Sequence, residues 1–84
     1  MSYRVLILRR AQKELSELPA IAYDRVREAL LSLSSDPRPR QSRKLASRNG
    51  WRLRIGDYRV IYEINDADRT ITILHVGHRR DVYS

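Results

Sequence analysis

Three arginines in the stretch Trp51 to Ile64, namely Arg52, Arg54 and Arg59, have a spacing suited to binding phosphate. Two runs of alternating apolar and polar residues flank Gly56-Asp57, and a two-residue connection with Gly first is typical of a type II′ β-hairpin turn. This turn puts Arg54 directly opposite Arg59 on the face that also carries Arg52. Like charges opposed across a strand pair destabilise it, so the pairing calls for an anionic ligand. Because guanidinium groups bind phosphate in a bidentate manner, the sequence predicts a phosphate-binding face.

The other face of the hairpin carries apolar and aromatic side chains, so we expect it to face the core. Its members are Trp51, Leu53, Ile55, Tyr58, Val60 and Tyr62. The predicted hairpin therefore has one face for packing and one basic face that packing does not explain.

Positive charge is concentrated in the C-terminal half of the 84-residue chain. The formal net charge is +7 and the sequence pI is about 10.6. Residues 1–37 contain six basic and five acidic side chains, whereas residues 38–84 contain eleven basic and five acidic ones. This distribution favours a polyanionic partner over a small neutral substrate.

The composition excludes several other kinds of site. The chain has no cysteine, which excludes disulfides and thiolate zinc sites. Asp57, Asp66 and Asp68 fall in predicted turns, and no element carries a His, Asp and Glu cluster at metal-ligand spacing, so neither metal nor cofactor is expected. Serine nucleophile motifs and glycine-rich phosphate loops are absent. The apolar run at residues 5–8 is too short for a signal peptide or membrane span, so we expect a soluble, cytoplasmic protein that does not bind membranes.

Hydrophobic periodicity predicts the order β-α-α-β-β-β in a single α+β domain over residues 1–84. Ser2 to Leu8 is predicted as a strand and Arg9 to Leu18 as a helix closed by Pro19. A second helical stripe ends at Ser34 to Pro37. The expected architecture is an antiparallel sheet covered on one face by this helical hairpin.

The C-terminal half is predicted to add a loop and three strands. Arg38 to Gly50 has loop composition, and Thr70 to Val76 alternates as a final strand that Gly77 breaks. We expect His75 to pack or to face a partner protein. The alternation puts one set of side chains on each face, Thr72, Leu74 and Val76 on one and Ile71, Ile73 and His75 on the other.

Several runs of residues together are similar to a known family. They are Lys44-Leu45, Trp51 to Ile55, Tyr58-Arg59-Val60-Ile61-Tyr62, and Val76-Gly77-His78-Arg79 followed by Val82-Tyr83. With the element order, they make the chain resemble the RelE branch of the RelE/ParE toxins of toxin–antitoxin systems over essentially its whole length. The Tyr-Arg-Val-Ile-Tyr strand is shared by both branches, whereas Gly-His-Arg and Val-Tyr in the tail are more specific to RelE-like members.

This resemblance implies an endoribonuclease that cuts mRNA in the ribosomal A site and is held inactive by a RelB-like antitoxin. It implies an active site formed by Arg52, Arg54, Arg59, Arg79 and Tyr83. Well-known members often have lysine at the positions of Arg52 and Arg54. Arginine binds phosphate as well but is a poor proton carrier, so acid–base roles are expected in the tail.

RNA supplies its own nucleophile, the 2′-OH, so cleavage to a 2′,3′-cyclic phosphate needs a base, charge stabilisation and a leaving-group donor, but no metal. We expect Arg54, Arg59 and Arg79 to hold the scissile phosphate and Arg52 a neighbouring one. Tyr83 is the candidate base, because surrounding arginines favour its phenolate.

Other cations are expected to contact RNA outside the scissile phosphate. Arg43, Lys44 and Arg48 lie in the predicted loop, as do Arg38 and Arg40, and could follow the RNA backbone. His78 is expected to contact RNA and is the alternative proton-transfer group, because histidine titrates near neutral pH.

Alternative functions stay open at the level of sequence. A ParE-like toxin, which poisons DNA gyrase by protein contact without cutting RNA, shares the Tyr-Arg strand, although Arg79 together with Tyr83 favours the nuclease. In a plain nucleic-acid-binding module or an inactive toxin, the basic strand face would be solvated surface and Tyr83 would cap a core edge. The expected protein partner is an acidic antitoxin segment that folds on the helical hairpin.

Overall fold

The computed structural model describes residues 2–46 and 49–78, so the predicted site residues Arg48, Arg79 and Tyr83 lie outside the described residues. The α+β class is confirmed, with one strand more than predicted. The helices are α1 (Arg9–Ser16) and α2 (Ala20–Ser32). The strands are β1 (Arg4–Ile7), β2 (Ser42–Lys44), β3 (Gly50–Ile55), β4 (Tyr58–Asn65) and β5 (Thr70–His78).

The strands form one sheet in the order β1-β5-β4-β3-β2. β1 pairs with β5 in parallel, whereas the other neighbours pair antiparallel, so the sheet is mixed rather than wholly antiparallel. The difference arises because the first strand pairs with the last one. The two successive turns β3–β4 and β4–β5 leave β5 running in the same direction as β3, and β1 also runs in that direction. Neither helix described between residues 2 and 78 has the length and apolar character needed to cross a bilayer.

The additional strand, β2, lies in the segment predicted as a surface loop. Ser42 is buried, its Oγ donates a hydrogen bond to the carbonyl of Pro39 at 2.7 Å, and its backbone pairs with Leu53 of β3. A three-residue polar strand has no readable hydrophobic period, and pairing with the edge of β3 forms it instead.

The two helices cover one face of the sheet, as predicted. Pro19 lies in extended conformation immediately before α2, where its missing N–H costs nothing. Ala11 and Leu15 of α1 pack with Val26 and Leu30 of α2 in the core. From the loop after α2 and from the sheet, the core also includes Leu33, Leu53, Val60, Tyr62, Ile64, Ile71, Ile73 and Val76.

The register predicted for the β3–β4 hairpin is confirmed. Ile55 pairs with Tyr58 and Arg54 with Arg59. Gly56 has φ +59°, the left-handed conformation that the first turn position requires.

The last strand differs from its predicted alternation. Ile61 of β4 pairs with His75, but Tyr62 pairs with Ile73, so Leu74 is an extra residue in a β-bulge. The bulge reverses the alternation, and Val76 is buried although a strict alternation predicts it on the face opposite Ile71 and Ile73. Gly77 does not break the strand, because it pairs with Arg59 and β5 continues to His78.

Candidate active site

Among the described residues, four neighbouring arginines cluster at one end of the sheet face away from the helices, and this arginine face consists of Arg43, Arg52, Arg54 and Arg59. Arg43 of β2 is directly opposite Arg52 of β3. One step along the sheet, Arg54 of β3 is opposite Arg59 of β4. Directly opposed residues have Cα atoms about 4.5–5.5 Å apart, so the structure brings four of the predicted site residues into one patch.

The centre of the arginine face is Arg59, which is only 8% exposed. Arg54 lies on one side of it and Gly77 of β5 on the other. Because Gly77 has no side chain, nothing from that position of β5 extends over Arg59. The patch therefore has the buried side chain of Arg59 at its centre and the exposed side chain of Arg54 next to it.

A surface cleft of about 410 Å³ runs over the β2–β3 part of this face. Its lining includes Arg43, Arg52 and Arg54, together with Gln41 and Gly56. The Arg43 guanidinium is oriented by its own segment, since Nη1 donates to the carbonyls of Arg40 at 3.2 Å and Ser42 at 3.0 Å. Several guanidinium donors converging on one cleft can hold a phosphate group at more than one oxygen.

Two predicted RNA-binding residues lie on the opposite face of the sheet. Lys44 pairs with Trp51, which packs against the core, and its Nζ donates to the carbonyl of Leu45 at 3.1 Å. His78 pairs with Tyr58, and their rings meet edge to face with centroids 5.8 Å apart. The structure therefore does not bring Lys44 and His78 onto the arginine face.

Arg38, one of the predicted loop cations, belongs to a structural cluster. Its guanidinium forms two hydrogen bonds with Asp66, at 2.8 and 3.4 Å, and lies 5.3 Å from the ring centroid of Trp51. The Tyr3 hydroxyl donates to the same carboxylate. The Arg38 hydrogen bonds, followed by that of Tyr3, hold the pKa of Asp66 below its ordinary value. Through these contacts with Asp66 and Trp51, Arg38 holds the loop after α2 against the sheet.

Sequence reasoning missed a contact between α1 and β5. The Glu14 carboxylate accepts hydrogen bonds from the Val76 amide at 2.9 Å and from His75 Nδ1 at 2.6 to 2.7 Å. Partial burial raises the pKa of Glu14, but the hydrogen bonds from Val76 and His75 outweigh it and leave the pKa below its ordinary value. No local pattern could reveal this contact, because its partners are 61 and 62 residues apart. It agrees with the expectation that His75 is packed.

No cluster of three or more His, Asp or Glu side chains able to hold a metal ion occurs in residues 2–46 and 49–78. What this patch offers is cationic charge and guanidinium donors on a rigid sheet. Those groups can bind a phosphodiester and stabilise the extra negative charge that develops when the phosphorus is attacked.

Comparison with known proteins identifies the family. A sequence model described as the ParE toxin of the parDE type II toxin–antitoxin system matches residues 5–83. The chain belongs to the RelE/ParE toxin superfamily. Toxin RelG of Mycobacterium tuberculosis is 36% identical over 88 residues, covering 99% of this chain and 98% of RelG.

Solved structures place the fold in the RelE branch of this superfamily. The crystal structure of the archaeal RelE–RelB complex from Pyrococcus horikoshii matches with a TM-score of 0.86 and 38% identity, covering 98% of this chain and 100% of that one. The toxin–antitoxin complex RelBE2 from Mycobacterium tuberculosis matches with a TM-score of 0.83 and 32% identity, covering 94% and 100%. The arginine face therefore belongs to a RelE-like toxin.

Proposed function

We propose that this toxin is a ribosome-dependent endoribonuclease that cuts mRNA in the A site and so inhibits translation. The observation that carries the proposal is the pairing of Arg54 with Arg59 beside the side-chain-free position of Gly77. Placing two like charges opposite each other lowers the free energy of unfolding, but it allows two guanidinium groups to bind the same phosphate. The RelE-like fold and the similarity to toxin RelG support the same assignment.

The reaction we propose needs no metal, because the RNA 2′-OH is the nucleophile. A base removes the 2′-OH proton, the oxygen attacks the adjacent phosphorus, and the 5′-oxygen of the next nucleotide leaves with a proton from a general acid. Arg54 and Arg59 stabilise the charge on the phosphorane, with Arg79 as a third donor and Arg52 on a neighbouring phosphate. Tyr83 is the proposed base, and His78 the alternative proton-transfer group.

The sheet face on which each remaining basic residue lies indicates which part of the RNA it would contact beyond the scissile phosphate. Arg43 continues the arginine face at the sheet edge and would bind the next stretch of mRNA backbone. Lys44 and His78, on the other face, would contact a different segment of RNA, and we assign Arg48 to backbone contacts with them. Each phosphate contact on a single strand contributes a salt slope of about −0.7, so binding should weaken steeply with salt.

We propose a RelB-like antitoxin as the protein partner. The relatives of known structure from Pyrococcus and Mycobacterium are toxin–antitoxin complexes. On α2 of this chain, Ile21 is 79% exposed and Leu31 54% exposed, which are apolar side chains that an amphipathic segment could cover. An acidic segment would also complement the net charge of +7.

A gyrase poison is the second candidate, and the ParE description of the matching family model favours it. Poisoning gyrase through protein contact gives no role to two opposed arginines at a side-chain-free position. The arginine face is therefore the reason to prefer RNA cleavage.

The test is to induce the gene and map the 5′ ends of cellular mRNAs. We expect new ends in a fixed phase with the codons, and none in cells expressing Tyr83→Phe, which keeps the ring but has no proton to exchange. Double-strand DNA breaks without new mRNA ends would support the gyrase alternative. Unchanged cleavage by Tyr83→Phe would exclude Tyr83 as the base.

A further inference from the structure

The end of β5 lies beyond the strand that pairs with its outer edge. β1 pairs with β5 from Thr70 to Ile73 only, so within residues 2–46 and 49–78 no strand pairs with the backbone that follows on that side. Glu14, from α1, takes the place of the missing strand there by accepting the Val76 N–H at 2.9 Å. Its carboxylate also accepts from His75 Nδ1, and Arg10 Nε lies 3.4 Å from its Oε2. An ionised carboxylate only accepts, so His75 carries a proton on Nδ1.

These contacts sit directly on the bulge. Leu74 is the extra residue, and the two residues that follow it, His75 and Val76, are the two that Glu14 holds. Because side chains alternate with a period of two, the bulge decides which face each later residue takes. With it, Val76 faces the core and Gly77 lies beside Arg59.

Removing the bulge would change the arginine face. If the pairing of Tyr62 with Ile73 continued without a shift, Val76 would lie opposite Arg59 and His75 opposite Val60 in the core. A branched apolar side chain would then stand beside the central arginine, where a phosphate must approach. The side-chain-free position next to Arg59 therefore depends on the bulge.

We propose that Glu14 is a positioning residue: by holding His75 and the Val76 amide, it maintains the β5 bulge and keeps Gly77 beside Arg59. This inference rests on the proposed RNA cleavage for its effect on rate, but not for its effect on the strand. Glu14 acts through β5, because its hydrogen bonds to the sheet are made to His75 and Val76.

The test compares Glu14→Ala and Glu14→Gln with Glu17→Ala, a control that removes a carboxylate from the next position facing the same cleft between α1 and β5. Amide hydrogen exchange and cross-strand NOEs measure whether the pairing of β5 is intact. Single-turnover cleavage of mRNA on programmed ribosomes measures the activity of the site. In Glu14→Ala we expect exchange at Val76 to rise at least about 10-fold, and NOEs between Gly77 and Arg59 to weaken. The maximal cleavage rate should fall about 10- to 100-fold with the half-saturating toxin concentration within about 2-fold, because misplacement affects the transition state more than binding.

Glu14→Gln keeps an acceptor oxygen for Val76 and should recover most of the rate, and Glu17→Ala should match the wild type. Unchanged Val76 exchange and NOEs in Glu14→Ala would overturn the proposal. So would exchange that rises uniformly over the sheet, because Glu14 would then be a general stabiliser. If the wild type cleaves no RNA, the proposed function fails, while the exchange and NOE results still decide the role of Glu14.

Discussion

Arginine has opposite surroundings in two regions of this molecule. Arg38 faces Asp66 through two hydrogen bonds and covers the ring of Trp51. On the arginine face, Arg54 faces Arg59, and the residues across from the four arginines are other arginines, Ile61 or Gly77. The first arrangement stabilises the fold, whereas the direct opposition of Arg54 and Arg59 costs stability and offers donors to a ligand. Substitutions in the two regions should therefore have opposite effects on stability and activity.

The largest effect is expected on the arginine face. Arg54→Ala should lower the single-turnover rate of mRNA cleavage about 100-fold, the scale of removing one transition-state donor. The unfolding temperature should stay the same or rise. The substitution removes one of two opposed like charges, whose repulsion destabilises the strand pair by about 0.2–1 kcal/mol. Calorimetry and the ribosome assay check the two parts. A rate within about 3-fold of the wild type would remove Arg54 from the site.

A smaller effect of the opposite kind is expected at Arg38. Arg38→Ala should lower the unfolding temperature by about 4–8 °C, the shift that a loss of about 1 kcal/mol from an exposed ion pair and a ring contact causes in a domain of this size. Cleavage at saturating toxin should be unchanged. Arg40→Ala, at an exposed arginine two residues further on, is the matched control and should affect neither. Loss of cleavage in Arg38→Ala would break the contrast between the two regions.

The smallest effect is in the pH dependence of stability. The pKa of Asp66 is lower in the folded protein than in the unfolded chain, so its contribution is present above about pH 4 and is lost as the pH falls through the folded pKa. We expect the unfolding temperature of the wild type to fall more between pH 6 and pH 3 than that of Asp66→Asn. Asp24→Asn, at an exposed carboxylate on α2, should follow the wild type. Equal falls in the wild type and Asp66→Asn would contradict the role of the Arg38 pair.

The features that could be predicted from sequence are those encoded locally. The hairpin register follows from alternation on both sides of Gly56, and that alternation alone identifies Arg54 and Arg59 as neighbours. The break between the helices follows from Pro19. In each case the determining residues are adjacent along the chain.

The features that could not be predicted depend on distant partners. β2 forms because β3 offers an edge, and the bulge at Leu74 is supported by Glu14, about 60 residues earlier in the chain. Local composition groups Arg38 with the RNA-binding loop cations, because its partner, Asp66, is 28 residues away. It groups Lys44 with them too, and only the pairing with Trp51 reveals that Lys44 lies on the other face.

The most direct test of the central claim uses the RNA itself. An mRNA is placed on programmed ribosomes in two forms, one with ribose throughout and one with a single 2′-deoxyribose immediately 5′ to the cut. We predict that the wild-type toxin cuts the first form to leave a 2′,3′-cyclic phosphate and leaves the second intact at that position, because the 2′-OH is the nucleophile. Equal cleavage of both forms, or of neither, would contradict the assignment of the arginine face to this reaction.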